Sequence, residues 1–228
     1  MFQPLFDNMK KLNILVGGPV DQWPSELTAG AVVGEWIGVD RGAFRLLKLG
    51  ITPKVAVGDF DSLSETEREW LTTQVQDIRR VKPEKDETDL ELALTIAQNE
   101  YQADEIVIYG ATGGRIDHLL SNIWIFSQPR FQQFIGKVNL VDRGNSIRFY
   151  APGNHTIVKE ADKKYLGFIN LTAVEHLDLA DERYELHDWS SPTPYSWSSN
   201  EFKGTVNHFS FTQGIVMVIQ SKDTQYGN

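Results

Sequence analysis

The sequence contains no cysteine. That removes disulfides, zinc–thiolate sites and thiol catalysis together, and it suits a reducing compartment. No apolar run approaches the roughly 20 residues that a membrane-spanning helix needs. The opening Met1-Phe2-Gln3-Pro4-Leu5 lacks the charged-then-apolar grammar of a secretion signal, and Met9-Lys10-Lys11 offers an alternative start. A cytoplasmic location is therefore the expectation. Positive charge is scarce as well: 22 Lys and Arg stand against 31 Asp and Glu, a net charge of −9. Such a surface repels phosphate backbones and anionic lipid, so nucleic acid and membranes are not expected partners. No Walker A sequence is present, which excludes a P-loop kinase or ATPase. A small polyanion can still bind where backbone amides, a cation or a metal offset the overall field.

What is present is an ordinary globular composition, 41% hydrophobic and 23% charged, over 228 residues. That length buries a core as one large domain or two modest ones. Up to about residue 141, short Val- and Ile-rich runs at 12–16, 36–39, 55–57, 78–81, 106–109 and 138–141 alternate with helix-like segments at 43–49, 65–76, 90–100 and 118–126. Brief unbroken apolar runs suit strands buried on both faces. The third helical segment places Leu90, Ala93, Leu94 and Ala97 on one stripe. Strand alternating with helix predicts an α/β fold with a mostly parallel sheet over 1–145. Beyond Pro152-Gly153-Asn154 the chain is rich in Thr, Tyr and Phe and loses helical periodicity, which predicts a smaller all-β sandwich domain over 146–228. There, 168–171 and 215–220 read as strands, Gln213-Gly214 reads as a hairpin turn after 209–211, and 190–200 reads as a polar loop.

The chemistry is written in the loops at the ends of the early strands. Run 36–39 leads into Asp40-Arg41-Gly42-Ala43, and 55–57 into Gly58-Asp59-Phe60-Asp61-Ser62. Run 78–81 leads into Lys85-Asp86-Glu87-Thr88-Asp89, and 106–109 into Gly110-Ala111-Thr112-Gly113-Gly114-Arg115-Ile116-Asp117-His118. In open parallel sheets the ligand crevice lies beyond the carboxyl ends of the strands. Parallel neighbours would bring these carboxylates to one rim, as a magnesium and phosphate site requires. Mg²⁺ takes hard oxygen ligands and keeps water and phosphate in its shell, so one or two carboxylates suffice. Asp59, Asp61 and Asp89 are the candidate ligands. Each piece also has a plainer reading. The Asp59–Asp61 pair suits an Asx turn, and Asp86 or Thr88 suits a helix N-cap. Arg115 and Asp117 suit a structural ion pair beside the glycines, and Gly17-Gly18-Pro19 suits a tight turn.

The four motifs in that order resemble the thiamin pyrophosphokinase family. The resemblance implies an α/β domain followed by a β-sandwich, and a homodimer with thiamin held near the subunit interface. It implies that Asp40, Asp59, Asp61 and Asp89 form the Mg²⁺ and diphosphate site, joined by Arg115 and Asp117. On the ATP side it draws in Gly42, Lys85, Thr88, Gly113 and Gly114. Ser199-Asn200 resembles the pair that the family places beside thiamin. Arg41 stands where the family usually has a second glycine, so its side chain must point away from the nucleotide or add a contact. The stretch 181–186 lacks the expected glycine before Tyr184. Thiamin carries a permanent thiazolium cation, which aromatic faces favour, and Trp189, Tyr195 and Trp197 flank Ser199-Asn200. Trp197 is the candidate stacking residue, with core packing as its alternative. The implied reaction is attack by the thiamin hydroxyl on the β-phosphorus of ATP, releasing AMP. A pyrophosphokinase for another alcohol, such as a pterin, and a non-catalytic thiamin- or nucleotide-binding regulator are the alternatives.

Overall fold

The computed structural model describes residues 9–82 and 86–224. The chain divides into two compact units, Met1–Asn122 and Ile123–Asn228. In the first, strands β1 (Lys11–Leu15), β2 (Glu35–Val39), β3 (Val55–Gly58), β4 (Asp77–Arg80) and β5 (Glu105–Tyr109) form a parallel sheet in the order β5-β1-β2-β3-β4. The helices are α1 (Ser25–Thr28), α2 (Arg41–Lys48), α3 (Glu65–Gln74), α4 (Asp89–Ile96) and α5 (Ile116–Trp124). The central strands are buried on both faces, including Ile14, Leu15, Ile37, Val55, Val57 and Ile108. Burying such a side chain contributes about 1.5–3 kcal/mol relative to leaving it exposed. Phe60, just past β3, joins Ala43 and Leu47 of α2 and Leu71 of α3 in one apolar cluster. The loop that carries the acidic motif is thereby anchored by its own aromatic residue.

Helix starts are set by capping. Ser64 accepts from Glu67 N–H at 3.3 Å while Glu67 Oε2 accepts from Ser64 N–H at 2.8 Å, a reciprocal box that opens α3. Thr88 and Glu91 do the same for α4 at 3.2 and 2.7 Å. The expected helix 90–100 ends earlier, at Ile96, and its last turn widens into a π turn over Ala97–Tyr101.

The second unit is built from antiparallel strands. One sheet has the order β12 (Tyr195–Glu201), β9 (Tyr165–Asn170), β14 (Val216–Ser221), β7 (Asn145–Tyr150), β6 (Val138–Val141). The other has the order β11 (Leu186–Ser191), β10 (Val174–Leu179), β13 (Val206–Phe211), β8 (Gly153–Val158). Leu166, Phe168, Val216 and Val218 from the first meet Leu177, Leu179, Phe209 and Phe211 from the second in a shared core.

Run 138–141 forms β6, and the chain turns back from it onto β7, because the Asp142 carboxylate accepts from Gly144 and Asn145 N–H at 2.7 Å each and closes a tight reversal. The structure corrects two expectations. Gln213-Gly214 does not close a hairpin, since β13 and β14 lie in different sheets. Gly214, at φ 100°, carries the chain across so closely that a Cβ would come within 2.1 Å of Ala173 O. Segment 190–200 is not a loop; it contains the end of β11 and most of β12. Bulges at Asp188 (φ 49°) and Ser199 (φ 59°) break the alternation by which strands are read.

Candidate active site

Asp40 is the N-cap of α2, at φ 47° and ψ −124°. Its N–H donates to Val57 O at 3.0 Å, which ties the end of β2 to β3. Its Oδ1 accepts from Phe60 N–H at 3.3 Å. Gly58, at φ 145°, is what permits this: a Cβ there would stand 1.9 Å from Asp40 Oδ1. The first and second motifs therefore interlock through one carboxylate and one missing side chain.

Asp89, the first residue of α4, brings its carboxyl into hydrogen-bonding reach of Asp40, and Asp59 adds its charge nearby. Burial, with those two acids beside it, pushes the Asp40 carboxyl up to about 7. Three carboxylates from three strand ends thus crowd one rim. Asp61 is exposed, and its N–H donates to Asp59 Oδ1 at 2.9 Å, closing the Asx turn. Among the described residues, no three His, Asp or Glu side chains converge enough to cage a metal by themselves. The donor set still fits a hard divalent cation. A buried carboxyl crowded by two other acids, as Asp40 is, is what such an ion relieves, and Mg²⁺ fills the rest of its shell with phosphate and water.

The remaining candidates fall into two groups. Gly42 is buried, and a Cβ on it would lie 2.1 Å from Leu15 O, so the small residue lets α2 pack on β1. Thr88 spends its hydroxyl on the α4 cap. Lys85 lies outside the described residues. Gly113 and Gly114, both at φ 75°, take the chain through a left-handed turn into α5. Arg115 and Asp117 form a two-pronged ion pair there, at 3.1 and 2.5 Å, and the Arg115 fork holds the Asp117 carboxyl down at about 2. Both are well exposed, and His118 N–H donates to Asp117 Oδ1 at 3.0 Å. Arg41 points to Glu67, 3.5 Å away, so its side chain is taken up by the α3 cap.

Arg45 was not singled out by its sequence. One turn after Arg41, its Nη1 donates to Gly17 O at 2.8 Å and Gly18 O at 2.6 Å, and its guanidinium lies over the Trp23 ring. Gly18 N–H donates in turn to Gly110 O at 2.9 Å, where a Cβ would come within 2.1 Å. The loops after β1 and β5 are stitched together at the point where strand order reverses, the usual crevice of such sheets. Arg41 and Arg45 at i and i+4 were the available signal.

In the second unit, Trp197 is half-buried against the shared core and lies 4.9 Å from Tyr195 and 5.6 Å from Trp189, ring centre to ring centre. These distances fill the space between the rings and leave the exposed Tyr195 as the outer face. Asn200 is buried. Its Oδ1 accepts from Tyr184 and Glu201 N–H at 2.9 Å each, and its Nδ2 donates to Tyr184 O at 2.8 Å. Asn200 is thus a clamp on the Tyr184 backbone, and the strained Ser199 beside it is exposed.

Comparison with known proteins gives one answer. Residues 33–137 match the family described as "Thiamin pyrophosphokinase, catalytic domain", and 154–216 match "Thiamin pyrophosphokinase, vitamin B1 binding domain". A thiamine pyrophosphokinase of Bacillus subtilis is 37% identical over 217 residues, covering 94% of this chain and 100% of its own. A crystal structure of a protein from Lactobacillus plantarum superposes with a TM-score of 0.87 at 46% identity, over 94% of this chain and 100% of that one. A thiamin pyrophosphokinase family protein from Enterococcus faecalis gives 0.87 at 42% identity, with the same coverage.

Proposed function

The chain belongs to the thiamin pyrophosphokinase family, and from that premise we propose how its own residues divide the transfer of a diphosphate from ATP to the thiamin hydroxyl. The observation that carries the assignment is the meeting of Asp40, Asp59 and Asp89 on the rim of the parallel sheet. These three, with Asp61 beside Asp59, would hold Mg²⁺, which would supply the charge that neutralises phosphate oxygens during displacement at the β-phosphorus. Asp40 keeps its oxygen aimed by Phe60 N–H. A cation beside it would offset the burial that favours the proton on that carboxyl.

ATP lies along the crevice between the loops after β1 and β5, where Arg45 fixes the Gly17-Gly18 turn and Gly113-Gly114 expose backbone amides to phosphate. Arg115, on the surface and paired with Asp117, exchanges that partner for a phosphate as charge builds on the leaving AMP. The first unit is the nucleotide-binding catalytic domain. The second is a β-sandwich that receives thiamin, with Trp197 and Tyr195 offering aromatic area to the thiazolium and Asn200 fixing the Tyr184 segment beside it. The working form is a homodimer with thiamin near the subunit interface, in the cytoplasm.

The test is product analysis after incubation with ATP, Mg²⁺ and thiamin. AMP and thiamin diphosphate in equal amounts support the reading. ADP with thiamin monophosphate would make the protein an ordinary kinase, and AMP formed only with a pterin would move the substrate.

A further inference from the structure

Two polar side chains of the second unit are shut away from solvent, and each keeps atoms that no protein group satisfies. Glu182, bridged in isolation to Phe202, and Asn207, pointing inward from β13, are both 0% exposed. Among the described residues, Glu182 Oε1, Asn207 Nδ2 and Asn207 Oδ1 have no hydrogen-bond partner, while Glu182 Oε2 accepts from Asp181 N–H at 3.2 Å. The two side chains are near enough for the amide to act on the carboxyl, where it favours the ionised form against the larger opposing push of burial. An orphaned buried polar atom is destabilising, so three side by side need an account.

Charge does not supply one. Asp181, the adjacent acid, is matched by His208 at 2.7 Å, and Arg183 is matched by Glu201 at 2.9 Å. Lys159 lies over the Phe202 ring, and Lys203 is bound to Glu185. Among the described residues, no cation forms an ion pair with Glu182. An unpaired carboxylate at this depth is strongly disfavoured.

Donor and acceptor counting favours the neutral acid. An ionised carboxylate only accepts, so it can satisfy Asn207 Nδ2 but leaves Oδ1 with no donor. A neutral acid has one of each. Its O–H donates to Asn207 Oδ1 while Asn207 Nδ2 donates to its carbonyl, and all three orphan atoms are used in one ring of two hydrogen bonds. We propose that Glu182 and Asn207 form a neutral carboxylic acid–amide pair, a proton-dependent clasp on the 181–185 connection of the β unit. The same connection is gripped two residues on, where Asn200 holds the Tyr184 backbone. Burial pushes the Glu182 carboxyl up to about 7, in keeping with that geometry. Its stabilising contribution is complete below the unfolded-state value and is lost as pH rises toward and through about 7.

The test is carbon-13 NMR of protein labelled at the glutamate side-chain carboxyl. One glutamate should titrate at least about one pH unit above the ordinary range near 4.3, and its signal should be missing in Glu182→Gln. The glutamine keeps the ring as an amide–amide pair, so the melting temperature of Glu182→Gln should fall less than that of the parent between about pH 5 and pH 8. If every glutamate of the native protein titrates in the ordinary range, Glu182 is ionised and solvated by internal water, and the proposal is wrong. A raised midpoint that persists in Glu182→Gln overturns it equally. Should that variant fail to fold, the titration of the native chain decides alone.

Discussion

Asp40 shows how much a single side chain is asked to do. It caps α2 in a left-handed conformation, receives Phe60 N–H, and shares its surroundings with Asp89 and Asp59. A non-glycine residue in that conformation costs of order 1–3 kcal/mol and persists where function holds it in place. In the metal-free protein its raised carboxyl makes stability fall as pH climbs from the unfolded value of 3.8 through about 7. Asp40→Asn should flatten that slope in melts run with a chelator, and turnover should drop. Asp59→Ala should lower turnover by about 10² to 10³ or more while leaving the melting temperature close to the parent's. Turnover at the parental level would remove Asp59 from the site. Gly58→Ala should lose both stability and activity, because the added carbon occupies the position of Asp40 Oδ1. The sequence marked the acidic residues by their places after strands. It could not show that Asp40 meets Asp89, forty-nine positions on, because that contact depends on how three loops close over the sheet. Nor could it show that Asp61 closes an Asx turn through its N–H, since an extended Asp-x-Asp and an Asx turn read alike.

At the level of elements, capping is the sharpest link between sequence and stability. Thr88→Ala removes the acceptor for Glu91 N–H and should cost about 1 kcal/mol of stability, seen as a lower denaturant midpoint. Turnover at saturating substrate should be nearly unchanged, which separates capping from contact with ATP. Strand and helix positions in the first unit were legible because doubly buried strands spell continuous Val and Ile, and because turn and cap residues punctuate them. The second unit was harder. His176, Asp188 and Ser199 each adopt positive φ within or beside strands, and each shifts the inward face by one residue. A reader of alternation sees polar loop where β11 and β12 run. β13 and β14 look like the arms of a hairpin because only the sheet assignment, not the local pattern, distinguishes a turn from a crossing.

For the molecule as a whole, net charge −9 and an acidic rim mean that, on the proposed reading, a triphosphate would be held there with a cation to offset the repulsion. Ligands must lose their protons to bind a metal, so Mg²⁺ should raise the melting temperature more at about pH 8 than at about pH 6. An equal rise at both would place the ion away from Asp40. Among the described residues no helix is long and apolar enough to cross a membrane. The class of fold was readable from the alternation of short strands and helices, and the chemistry from four motifs at the strand ends. The measurement that bears most directly on the acidic rim uses Mn²⁺ as a stand-in for Mg²⁺. Crystals grown with Mn²⁺ and a non-hydrolysable ATP analogue should show one anomalous peak with oxygens of Asp40, Asp59 or Asp89 at about 2.0–2.3 Å. A peak held by phosphate alone, with those carboxylates turned elsewhere, would contradict it.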